Sequence, residues 1–105
     1  MSRQYSASLE PDTLTDEELG RPHLYQVLLH NDDYTTMEFV VSILMEIFHK
    51  SADQATTVML AVHAKGVGVA GVYPLELAET KVETVHQRAA EANFPLRCTL
   101  QEVET

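Results

Sequence analysis

LYQVLLHNDDYTTMEFVVSILMEIFHK, residues 24–50, changes its hydrophobic period part-way along, and that change decides the fold. Leu24 to Leu29 form a short aromatic and aliphatic run with polar residues directly after it, which reads as a β-strand. Thr35-Thr36-Met37-Glu38 then has the spacing of a capping box, with Thr35 as N-cap and Glu38 reaching back. From there Phe39, Val40, Ile43, Leu44, Ile47 and Phe48 recur at helical spacing and predict a first helix to about Lys50.

Downstream, Ser51-Ala52-Asp53-Gln54 repeats the capping logic and opens a second helix with apolar residues at Ala55, Val58, Met59 and Val62. Lys65 and Gly66 supply its cationic last turn and its stop. Residues 67–73, VGVAGVY, are β-rich and interrupted by glycine, as a strand with a close neighbour would be. Pro74 suits the first turn of a third helix, whose one face carries Leu75, Ala78, Val82, Val85 and Ala89. Asn93 and Pro95 end that helix, and Leu96, Cys98 and Leu100 alternate with polar residues in a last strand. The order β-α-α-β-α-β predicts an α+β domain in which a three-stranded sheet packs with three helices.

Upstream, residues 1–21 hold Ser, Thr, Pro11, Gly20 and five acids without any helical or strand period. Such a stretch has little surface to bury against its ordering entropy, so it reads as a flexible tail ahead of a core domain at 22–105. The 105 residues otherwise fit one domain, with 45% apolar and 22% charged. Sixteen acids against 7 Lys and Arg give a net charge of −9, which argues against binding a phosphate backbone. Nucleic acid is therefore not an expected partner. The apolar runs fall far short of the ~20 residues that span a bilayer, so no membrane association is expected. The N-terminus shows no apolar secretory core, and a lone Cys98 has no internal disulfide partner; both fit a cytoplasmic protein.

Packing does not explain His30-Asn31-Asp32-Asp33, the polar run after the first strand. Asn and Asp favour turns by bonding their own backbone, which accounts for one or two of these residues more easily than for all of them. His30, Asp32 and Asp33 have donor atoms for a metal, yet no HxxxH pair or second cluster completes a site. A calcium loop starting at Asn31 fails, because its sixth position is Thr36 and its twelfth is Ser42. No Ser sits on a Gly-flanked turn, Cys98 lies mid-strand, and Gly66, Gly68 and Gly71 are followed by no Lys-Ser/Thr. Met59, Val62 and His63 share one face of the second helix, and Val40 and Ile43 one face of the first. A histidine beside Met and Val is commonly a satisfied core residue. If the two faces meet beside the acidic junction, however, an apolar hollow opens with Asn31, Asp33 and His63 at its mouth, which suits a hydrophobic residue bearing a free α-ammonium.

The stretch NDDYTTMEFV at 31–40 closely resembles the ClpS family of bacterial adaptors for the N-degron pathway. MLAVHAKG at 59–66, GVYPLELAETKV at 71–82 and FPLRCTL at 94–100 match in the same order, so the resemblance covers about residues 22–103. It implies a βααβαβ core similar to the C-terminal domain of ribosomal L7/L12. It also implies a non-enzymatic, cofactor-free adaptor that binds proteins beginning with Leu, Phe, Tyr or Trp. The implied partner is the N-terminal domain of the ClpA unfoldase of the ClpAP protease, with the tail engaged during hand-off. By position, Asn31, Asp33 and His63 match the residues that grip the amino group, with Asp32 in the same motif. Thr35, Met37, Val40, Ile43, Met59, Val62 and Leu96 match the side-chain pocket, and Glu76 and Lys81 the unfoldase contacts. Thr36 stands where the family commonly has Pro, which would loosen the loop, and His30 where an aliphatic residue is common. Two rival readings are a docking module on the same scaffold without N-degron recognition, and a metal-dependent hydrolase using His30, Asp32 and Asp33.

Overall fold

The central strand of the sheet is the first one in the chain. In the computed structural model, which describes residues 23–104, β1 (Leu24–His30) pairs antiparallel with both other strands. The sheet order is β2-β1-β3, with β2 at Val67–Pro74 and β3 at Arg97–Glu102. The helices α1 (Met37–Glu46), α2 (Ala52–Lys65) and α3 (Leu75–Glu91) complete the β-α-α-β-α-β order that the sequence predicts. The expected tail, residues 1–21, lies outside the described residues.

A strand alternates its faces, so Val27 and Leu29 enter the core together while Leu28 and His30 face the other way. Cys98 pairs with Leu29 and Gly68 lies opposite it on β2, so all three strands present small or apolar groups to the same side. Ile43 and Leu44 of α1, Ala55 and Val62 of α2, and Val85 and Ala89 of α3 close over that side. A register shift between Val27 and Leu28 leaves Ala70 as an extra residue in β2, and it too is fully buried. At Gly68 a Cβ would lie 2.7 Å from Val62 Cγ2, so the absence of a side chain lets α2 settle onto the sheet.

Helix ends account for most of the local detail. Ser51 and Gln54 form the full capping box expected at α2. At α1 the N-cap is Thr36 rather than Thr35: its Oγ1 accepts the Phe39 N–H at 3.1 Å, because the Thr35 hydroxyl is already committed to Asp32. α1 also stops at Glu46, four residues before the expected end, where the chain turns through a left-handed His49 (φ 56°) and Lys50 N–H returns to the Leu44 carbonyl. Pro74 precedes α3 as its N-cap instead of lying in its first turn, since its ψ of 157° is extended. α3 ends in a Schellman arrangement, with Asn93 left-handed and Phe94 N–H bonded to the Ala89 carbonyl. The Phe94 ring then packs 4.9 Å from Phe39, tying the end of α3 to the start of α1. On the outer edge, His86 of α3 accepts the Cys98 N–H of β3 at 3.1 Å.

Gly66 caps α2 with φ 88°, a conformation that costs an L-residue about 1–2 kcal/mol. Nothing lies near its missing Cβ, so the cost of a side chain there is conformational only. Gly66→Ala is expected to lower the thermal midpoint by roughly 4–16 °C without altering the far-UV spectrum of the folded state.

Candidate functional site

The loop between β1 and α1 is held at successive points. Asn31 N–H donates to the Gly66 carbonyl at 2.9 Å, which joins the end of β1 to the end of α2. Asp32 then folds over its own loop: Oδ1 accepts from Tyr34 N–H at 2.8 Å and Thr35 N–H at 2.7 Å, and Oδ2 accepts from the Thr35 hydroxyl at 2.7 Å. Desolvation pushes the Asp32 carboxyl up, yet these three bonds favour the charged form and together hold it below its ordinary range. Asp33, inside the span that Asp32 closes, is exposed.

Beside this loop, α1 and α2 leave a hollow of about 260 Å³. Its apolar wall is Met37 and Val40 from α1 with Met59 and Val62 from α2. Its polar side is Asn31, Asp32, Asp33 and Thr35 from the loop and His63 from the last turn of α2. Val40, Met59 and Val62 are buried, whereas Met37 is 44% exposed and stands at the mouth. Of the residues expected in a side-chain pocket, five line this hollow and two do not: Ile43 is fully buried in the core, and Leu96 is 4% exposed. Ile43 lies one turn beyond Val40, and Leu96 leads into the strand on the far side of β1 from β2. The helical period places Ile43 on a face without giving its depth, and only the family resemblance placed Leu96 in the pocket.

The other reactive groups point elsewhere. His30 Nε2 lies 2.7 Å from the Thr99 hydroxyl, and Arg97 approaches its Nδ1 at 3.4 Å on the same sheet face. Desolvation, with Arg97 adding to it, holds the His30 imidazole below its usual pKa. Among the described residues, no three His, Cys, Asp or Glu side chains converge as metal ligands would. Burial pushes the Cys98 thiol up to about 12, so it is no nucleophile.

Glu76 is exposed in the first turn of α3. Lys81 has an internal engagement that sequence reasoning missed. Its Nζ donates to the Ile47 carbonyl at the end of α1 (2.6 Å) and sits 5.9 and 5.4 Å from the Phe48 and Tyr73 ring centres. The local signal was an unsatisfied carbonyl at a helix end, which becomes visible only once the helix is known to stop there. Burial beside this group also raises the Tyr73 phenol.

Residues 20–99 match the family model described as ATP-dependent Clp protease adaptor protein ClpS. The ATP-dependent Clp protease adapter protein ClpS of Lawsonia intracellularis is 69% identical over 94 residues, covering 90% of this chain and 86% of the relative. That of Nitratidesulfovibrio vulgaris (Miyazaki F) is 60% identical, covering 90% and 94%. The structure of Agrobacterium tumefaciens ClpS2 bound to L-phenylalaninamide superposes with a TM-score of 0.76 at 41% identity, covering 79% of this chain and 100% of that one. The chain belongs to the ClpS family of adaptor proteins of the ATP-dependent Clp protease.

Proposed function

We propose that this adaptor captures proteins whose first residue is Leu, Phe, Tyr or Trp and passes them, in the cytoplasm, to a ClpA-type unfoldase of the ClpAP protease. The observation that carries the reading is an apolar hollow whose rim is built from acceptors. A free α-ammonium donates three protons and needs three acceptors around it. In this reading they are the Asn31 carbonyl oxygen, the Asp33 carboxylate and a neutral His63 nitrogen. Asp33 also balances the charge, and each charge-assisted bond contributes ~1.5–3 kcal/mol. The first side chain descends between Val40, Met59 and Val62, where burial adds ~1.5–3 kcal/mol. Ile43 and Leu96 belong to the buried core that also holds Val40, Met59 and Val62. L-Phenylalaninamide, the ligand of the Agrobacterium relative, supports the reading, because it combines an aromatic side chain with a free amine and no carboxylate.

Thr35 and Met37 stand at the mouth in this scheme. A β-branched first residue carries a second substituent at Cβ, close to the backbone and therefore level with Met37. Glu76 and Lys81 of α3 are the proposed contacts for the N-terminal domain of the unfoldase. Lys81 reaches that surface from a fixed position, since its ammonium already bonds the Ile47 carbonyl. ATP hydrolysis and peptide cleavage then belong to the partners.

Matched Leu-peptides with free and acetylated amines test capture of the amine. Acetylation is expected to weaken binding by more than about tenfold, the loss of a single charge-assisted bond being enough; equal affinities would refute the reading. Met37→Ala is expected to admit Ile- and Val-peptides that the parent chain rejects, measured by fluorescence titration. For hand-off, Glu76→Lys is the cleaner probe, because reversing Lys81 also breaks its bond to Ile47. Glu76→Lys should leave peptide affinity intact and slow ClpAP-dependent degradation of a Leu-initiated substrate; unchanged degradation argues against α3 as the docking surface.

A further inference from the structure

Two neighbouring acids face the same hollow, and the geometry gives them different work. We infer that Asp32 is a positioning residue that acts through Asp33, and that Asp33 alone is the charge partner of the ligand amine; this rests on the amine-capture reading above.

A carboxylate has about four acceptor positions, two on each oxygen. Asp32 accepts from Tyr34 N–H and Thr35 N–H on one oxygen and from the Thr35 hydroxyl on the other, at 2.7–2.8 Å. These three bonds run from residue 32 to residues 34 and 35, so residue 33 lies inside the loop they close. On one side, Asn31 N–H is pinned to the Gly66 carbonyl. On the other, Thr36 caps α1 through Phe39 N–H. The backbone on both sides of Asp33 is therefore tied down, and its exposed carboxylate is presented from a fixed position. The loop takes three of the roughly four acceptor positions of the Asp32 carboxylate and leaves at most one, on Oδ2, for an ammonium. The lowered pKa of Asp32 agrees with a carboxylate whose charged form is stabilised from within the protein.

The two roles differ in what a neutral isostere does. Asparagine at position 32 keeps an oxygen for both N–H groups and offers its amide to the Thr35 hydroxyl, which can accept as well as donate. Asparagine at position 33 removes the countercharge. Titration of a free-amine Leu-peptide against the full chain should therefore give a split. Asp32→Ala is expected to weaken binding about tenfold or more, and Asp32→Asn to restore it to within about threefold of the parent, while Asp33→Asn is as weak as Asp32→Ala. In an Asp33→Asn background, Asp32→Ala should cost less than about twofold, because a residue acting through another has nothing left to position.

Hydrogen exchange of the Tyr34 and Thr35 amides provides a readout that needs no ligand. Both are expected to be protected in the parent and in Asp32→Asn, and to exchange faster in Asp32→Ala, with the rest of the protection map unchanged. The assignment is overturned if Asp32→Asn binds as weakly as Asp33→Asn, if the two losses are additive, or if Asp32→Ala leaves the loop amides protected. Failure of the parent chain to distinguish free from acetylated peptide overturns amine capture instead, and the exchange result still decides whether Asp32 holds the loop.

Discussion

The bond from Asn31 N–H to the Gly66 carbonyl is the constraint on which the rest of the site depends. It joins the last turn of α2 to the first residue after β1, two places 35 positions apart in the chain. Gly66 offers that carbonyl because its left-handed backbone turns the chain sharply out of the helix and into β2. With this junction closed, His63 in the last turn of α2 faces the same hollow as the acidic loop. Gly68, two residues on, draws α2 down until Val62 meets the sheet, which sets the depth of the apolar wall. A helix stop, a close approach and one backbone bond thus fix the site before any of its side chains is considered.

The parts of the fold legible in the sequence are those where one local signal stands unopposed. Ser51 and Gln54 had no competitor, and α2 begins where its capping box says. At α1, Thr35 and Thr36 both had the chemistry of a cap. The choice fell to Thr36 because Asp32, three residues before Thr35, took the earlier hydroxyl and its N–H. The early end of α1 was hidden for a related reason. Ile47 and Phe48 keep the helical period and are buried, but they are buried from the turn that follows the helix. Periodicity reports which residues are covered, not whether the backbone under them is still helical.

The hollow was legible in the same partial way. Val40, Met59, Val62 and His63 follow from two helical faces and a junction, and they do share one space with Asn31 and Asp33. Ile43 and Leu96 were equally good apolar candidates by spacing or by likeness, yet they are buried in the core and do not line that space. The tether from Lys81 to Ile47 was not legible, since it spans 34 residues and depends on where α1 stops. It gives α3 a charged anchor against the α1–α2 turn, flanked by the Phe48 and Tyr73 rings, alongside the ion pair between Arg88 and Glu46.

The burial of Cys98 has a chemical consequence of its own. With its thiol pushed up to about 12 by burial, the side chain stays protonated at neutral pH, and the thiolate is the form that reacts. The side chain serves as a small apolar filler beneath α3, where alanine or valine would do similar work. Toward oxidants and alkylating agents the folded domain therefore behaves as if it had no cysteine.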